Sequence, residues 1–264
     1  MSRLAERLAR RPEGLVRAET LLRSFALITY RIEAQALASV IADSRFAPEA
    51  IGGGTLVSAV HFIESDFRVP GLPLGRWRFL QTDYRGYVRD RRTGEPGVWL
   101  LGSALDSPLA ALPRRLWRMP WHRTPHALET TGDRWRWTCA SGWGEGHADI
   151  RPDIGPVTHL DGFADLAAAR LVLTHAVHGW YRRNDDRIGR ISIWHPTMDW
   201  RLGAADSVDH PVFAKAGIPL QGLHSVLTTR SIPFVIGLPP ALDQSDAAAA
   251  MPDSHAPSTR GRSP

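Results

Sequence analysis

The amino-acid sequence predicts an α+β fold, mainly antiparallel β, closed or nearly closed on itself. Three observations carry that expectation. Segments rich in strand formers recur along the chain, turn signals between them outnumber stretches long enough for helical crossovers, and the helical segments are few and short. The 264 residues suffice for a sizeable core, and 43% hydrophobic content is that of a globular chain. No run of 18 apolar residues occurs, so an ordinary membrane-spanning helix is not expected.

The elements follow in order. Residues 1–24 form an N-terminal helical segment in this reading, divided by Pro12 and Gly14. Residues 25–32 (FALITYRI) are strand-like, 33–42 make a short helix, and three glycines at 52–54 turn the chain into a long strand over 55–68. The alternation in that strand leaves either parity free to face inward. After the loop around Pro70-Gly71, residues 76–90 form a second long strand. Trp77, Phe79, Gln81, Asp83, Arg85 and Tyr87 share one parity there. Burying Asp83 and Arg85 in an ordinary core is costly unless they are paired. A turn at 91–97 returns the chain as a strand over 98–105, and Ser107-Pro108 opens a helix with Ser as its cap. Residues 121–129, 134–140 and 147–151 read as a strand meander, and Asp161 as the cap of a helix running to about Arg170. Residues 171–182, 190–195 and 225–236 are further strands. The expected organisation is one domain over 25–242, followed by a disordered tail over 243–264, where Ala, Ser, Pro and Asp dominate.

The charge balance narrows the function classes. The 32 basic residues exceed the 27 acidic ones, and Lys215 alone is lysine. The arginines are dispersed among Asp and Glu, so nucleic acid is not an expected partner. Their densest run, Arg3 to Arg23, supports a minority reading in which the N-terminal helix docks a partner. Cys139 is the only cysteine, which excludes an intrachain disulfide and a cysteine-rich metal site. That thiol, with no signal-peptide pattern, points to the cytoplasm.

The candidate motifs are modest. Gly142-Trp143-Gly144-Glu145-Gly146 lies between two strands with no helix behind it, so it reads as a hairpin turn, not a phosphate cradle. His175 and His178, and His122 and His126, lack a completing carboxylate pattern, so neither metal nor cofactor is expected. The ten tryptophans serve either as core or as aromatic walls of a ligand cavity.

Three segments acting together carry a resemblance: TDYRGYV (82–88) followed by GVWLL (97–101), DSPLAALPRRLWRMPWHRTPHAL (106–128), and HPTMDWRL (195–202). They resemble the bacterial family called domain of unknown function 2071, in the acetoacetate decarboxylase-like superfamily. The resemblance spans about residues 25–238 and implies a bent antiparallel barrel or double sheet around a central cavity. The decarboxylase works through a cavity lysine that forms an imine with a β-keto acid, its pKa lowered by a second lysine. In this chain Trp121 and His122 stand where that pair would be, and Gln81 replaces the glutamate four positions before Arg85. The resemblance therefore implies a cavity without imine chemistry at that place. The expected site set is His122 and Arg115 as catalytic candidates, with Gln81, Arg85, Trp121 and His195 as ligand-binding candidates. The expected partner is a small carboxylate or carbonyl compound, held bidentately by arginine. In the alternative enzyme reading, His122 and an arginine transfer protons. A structural network pairing Arg85 and Arg115 with Asp83 and Asp106 is the competing interpretation.

Overall fold

The computed structural model describes residues 3–41, 43–71, 75–176 and 178–243. The expected tail beyond residue 243 lies outside the described residues. Thirteen strands form one sheet: β1 (Val16–Ile32), β2 (Phe46–Pro48), β3 (Thr55–Arg68), β4 (Trp77–Asp90), β5 (Pro96–Leu105), β6 (Trp121–Arg123), β7 (His126–Thr131), β8 (Arg134–Ser141), β9 (Gly144–Pro156), β10 (His178–Arg182), β11 (Ile188–Trp194), β12 (Arg201–Asp209) and β13 (Gly222–Asp243). Among the described residues, five short helices punctuate them: α1 (Arg3–Ala9), α2 (Ala34–Ala38), α3 (Ala111–Leu116), α4 (Leu166–Leu173) and α5 (Pro211–Lys215).

The closed antiparallel barrel expected from the sequence is not what the chain builds. The order is β1-β3-β4-β5-β10-β11-β13-β12-β9-β8-β7, with β2 on β4 and β6 on β5. The sheet runs out at β7, whose partner among the described strands is β8. It is also mixed, because β10 and β6 both pair with β5 in parallel. The arm from β12 to β7 leads away from the longest strands and leaves an open edge. A second pairing of β1, with β13, folds the remaining strands over a shared interior.

The physical reason for two cores is visible in β3. Its first eleven residues are all buried, because both faces are covered. Val57 and Ala59 pack with Tyr84, Trp99, Trp137 and Phe213 on one side. Leu56, Val60 and Phe62 pack with Leu22, Phe25 and Leu173 on the other. Burial on both faces removes the polar–apolar alternation that assigns parity from sequence.

Helices differ from expectation at their ends. The N-terminal segment is helical only over α1. From Val16 onward it is strand, with Ala18, Thr20 and Leu22 buried in alternation. Pro12 and Gly14 stop the helix, and the period-2 burial selects the strand. α4 starts later than Asp161: Asp165 caps it, accepting from the Ala168 N–H at 2.7 Å. It runs on through Leu173, so His175 lies between helix and strand. Ser107 caps as expected, accepting from Leu109, and leads through a 3-10 turn into α3.

Two polar clamps fix the ends of the sheet. Arg45 binds Asp90 at 2.6 Å and Asp243 at 2.8 Å, with the Arg45 and Asp90 side chains buried. Arg7, buried on α1, donates to the carbonyls of His175, Ala176 and Ile193 at 2.6, 3.0 and 2.8 Å. Burial lowers its pKa to about 10. The chain then crosses Gly237, where an added Cβ would meet the Glu13 carbonyl oxygen at 1.5 Å. Only glycine permits that approach. Among the described residues, no helix is long and apolar enough to cross a membrane.

Candidate functional site

A cavity of about 220 Å³ lies between the β1-β3-β4-β5 face of the sheet and the β11-β13 face. The shared parity of β4 delivers Trp77, Phe79, Gln81, Asp83 and Arg85 to its wall. Register pairs Glu64 of β3 with Phe79, and Ser103 of β5 with Asp83, so these polar side chains join the same wall. The facing wall is apolar, with Ile191 and Ile193 from β11 and Phe234, Ile236 and Leu238 from β13. Met119, Trp117 and Trp121, from the segment after α3, close the remaining side.

The polar wall is internally bonded. The Gln81 amide donates to Asp83 at 2.7 Å, and Arg85 donates from Nη2 to the Leu173 carbonyl at 2.7 Å. Gln81 Oε1 and Arg85 Nε have no hydrogen-bond partner. Burial raises the Asp83 pKa, opposed by the Ser103 hydroxyl, the Gln81 amide and the Arg85 charge. Asp83 and Arg85 are only half-buried, although they sit in the middle of the sheet. Their accessible surface faces the cavity that they line.

Glu64 is a strongly perturbed carboxyl. Burial pushes its pKa up to about 8, against the Thr20 hydroxyl and with the Asp83 charge adding to the rise. Thr20 Oγ1 donates to Glu64 Oε2 and also lies 3.1 Å from the Ser65 carbonyl.

The expected site residues separate into two groups. Gln81, Arg85 and Trp121 line the cavity. His122, Arg115 and His195 are not among the lining residues. His122 follows Trp121 on β6 and so points the other way; its ring centroid is 4.6 Å from that of Trp143. Burial and the Arg114 charge lower its pKa. Arg115 lies on the exposed face of α3. His195 is buried one layer behind the cavity, stacked on Phe234 at 4.4 Å and bonded to the Thr174 carbonyl at 2.8 Å. Lys215 lies on α5, donating to the Gly142 carbonyl at 3.2 Å, away from the cavity.

Sequence reasoning missed Glu64 and Ser103. It also missed a chain of buried side chains on the opposite face of β3 and β4. Tyr30 OH lies 2.8 Å from His210 Nδ1, and His210 Nε2 lies 2.9 Å from His61 Nε2. His61 Nδ1 lies 3.0 Å from the Thr82 hydroxyl, which lies 3.3 Å from His126 Nε2. Among the described residues, no group of three or more His, Cys, Asp or Glu is arranged to hold a metal ion.

Comparison with solved structures places this fold. An acetoacetate decarboxylase from Legionella pneumophila matches with a TM-score of 0.62 and 13% identity, over 89% of this chain and 90% of that one. The enduracididine biosynthesis enzyme MppR, complexed with pyruvate, matches with a TM-score of 0.61 and 11% identity, over 87% and 90%. An acetoacetate decarboxylase-like enzyme from Sphingomonas wittichii matches at 0.55 and 9%, over 86% and 93%. At these identities the likeness is one of fold. No curated protein matches the chain. The family model for DUF2071, described as an uncharacterized conserved protein, matches residues 20–233, and the chain belongs to that family.

Proposed function

We propose that this protein binds a small organic acid or carbonyl compound in the cavity beside β4, without Schiff-base lysine chemistry. One observation carries the reading: Arg85 and Gln81 stand on an otherwise largely apolar cavity, and no lysine lines it. A guanidinium in a low-dielectric recess favours an oxyanion or a polarised carbonyl. A fold relative complexed with pyruvate, a small keto acid, supports the same ligand class. Trp121 supplies an aromatic wall in place of an amine. The single thiol, Cys139, is free and buried, which supports a cytoplasmic setting.

The test is a thermal-shift screen of carboxylates, 2-oxo acids and ketones against the protein and an Arg85→Gln variant. Stabilisation of the parent and its loss in the variant is the expected result. Failure of every acid and ketone to stabilise the parent overturns the reading.

A second reading, proton transfer to or from a bound carbonyl compound, is favoured by Glu64. A carboxyl held near pKa 8 is protonated at neutral pH and suits a general acid. This reading places the acid at Glu64, because His122 does not face the cavity. Docking through the arginine-rich N-terminus has less support, since Arg7 is turned inward and Arg10 pairs with Glu95.

A further inference from the structure

The cavity is asymmetric along its length as well as across it. Its lining reaches the surface at Gly75, Trp77, Arg68 and Leu112, with Trp77 39% and Leu112 52% exposed. These residues form the rim. Arg85 lies eight residues further along β4, a distance of about 26 Å at the rise of an extended strand. Between them the polar groups crowd toward the inner end, at Gln81, Asp83, Ser103 and Arg85. The outer part is held by Phe67, Phe79, Leu109 and Leu112. The two polar side chains nearer the rim are already engaged: Glu64 with Thr20, and Arg68 with Glu19 at 2.7 Å.

We propose that the ligand is a monocarboxylic acid with an apolar tail, its head held at Arg85 and Gln81 and its tail running along the apolar lining toward Phe79 and the rim. The proposal rests on the reading of the cavity as an acid or carbonyl site and adds the tail. The opposite wall, Phe234, Ile236 and Leu238, gives such a tail a continuous apolar surface. A two- or three-carbon acid at Arg85 touches little of it.

Isothermal titration with the straight-chain carboxylates from acetate to decanoate, and with the matching 2-alkanones, tests this. The expected affinity rises about fourfold per methylene over the middle of the series, the gain for burying one CH₂. Leu112→Asp, at an exposed rim position, is expected to flatten that rise for the longest members of the series. Arg85→Gln is expected to erase any preference for carboxylate over ketone. Equal affinity for acetate and octanoate would overturn the tail and leave the acid site standing. No binding by any carboxylate or ketone would overturn the acid site, and the tail with it.

Discussion

The Nε2 atoms of His61 and His210 lie 2.9 Å apart, and both rings are buried. One ring donates and the other accepts, so at most one of them can hold a second proton, and burial keeps both neutral. Burial is the main cause: it lowers His210 to about 3 and His61 well below the usual imidazole range. The unfolded chain takes up protons near 6.5 that the folded chain refuses. Stability is therefore full above about pH 6.5 and falls as pH drops toward 3, by up to ~1.4 kcal/mol per pH unit per histidine. Urea unfolding between pH 7 and pH 4 measures this. His61→Gln should be destabilised at pH 7 by about 1–3 kcal/mol and show a shallower loss on acidification. An unchanged slope would mean that His61 is charged in the fold.

Glu64 gives the opposite sign. Its folded pKa, about 8, lies above the ordinary 4.5. Its contribution is present below about pH 4.5 and is lost as pH rises through 8. In Glu64→Gln the amide oxygen accepts from Thr20 as the carboxyl does, without titrating. The variant should gain on the parent by up to ~1.4 kcal/mol per pH unit between pH 5 and 8. A pH-independent difference would show an ionised Glu64.

The Arg45 clamp should be costly to break. Asp90→Ala leaves a buried guanidinium with Asp243 as its remaining carboxylate, and a loss of about 3–5 kcal/mol is expected in equilibrium unfolding. The Arg45 hydrogen bonds hold the Asp90 pKa low against burial, so the penalty should shrink once acid protonates Asp90 in the parent.

Arg7→Met should release α1 without unfolding the sheet. Three carbonyls lose their donor, and the Trp194 indole bond to the Leu8 carbonyl, at 2.9 Å, remains as a weaker tether. Limited proteolysis should cut the variant between Arg3 and Arg11 at least tenfold faster, with the sheet's thermal midpoint lowered by only a few degrees.

Some of this was legible in the residues and some was not. The shared parity of Trp77, Phe79, Gln81, Asp83 and Arg85 on β4 was, because the period of a strand alone groups them, but which way that face points was not. The meander β7-β8-β9 was legible from its glycine turns. The parity of β3 was not, since residues buried on both faces carry no alternation, and Glu64 was hidden with it. The motif singles out both Trp121 and His122, and of the two only Trp121 takes the inward position. The pairing of β5 with β10 and β6 joins segments distant in the chain, and no local pattern encodes it. For the same reason the open, mixed sheet was read as a closed antiparallel one. Arg7 looked like one more surface charge, because nothing near it in sequence announces the three carbonyls that it meets.

β3 and β4 form a partition with one chemistry on each side. Val60, Phe62, Gln81 and Asp83 face the cavity, while His61 and Thr82, their immediate neighbours, belong to the histidine chain behind it. The two sets are interleaved on the same two backbones. A one-residue insertion or deletion in β4 would exchange its two sets together, sending Thr82 and Tyr84 into the cavity and the acid-binding groups into the rear core, and one in β3 would likewise exchange Phe62 and His61. Point substitutions can retune one side alone; changes of length cannot. Lineages that keep either chemistry should therefore hold the lengths of both strands fixed while their loops vary freely.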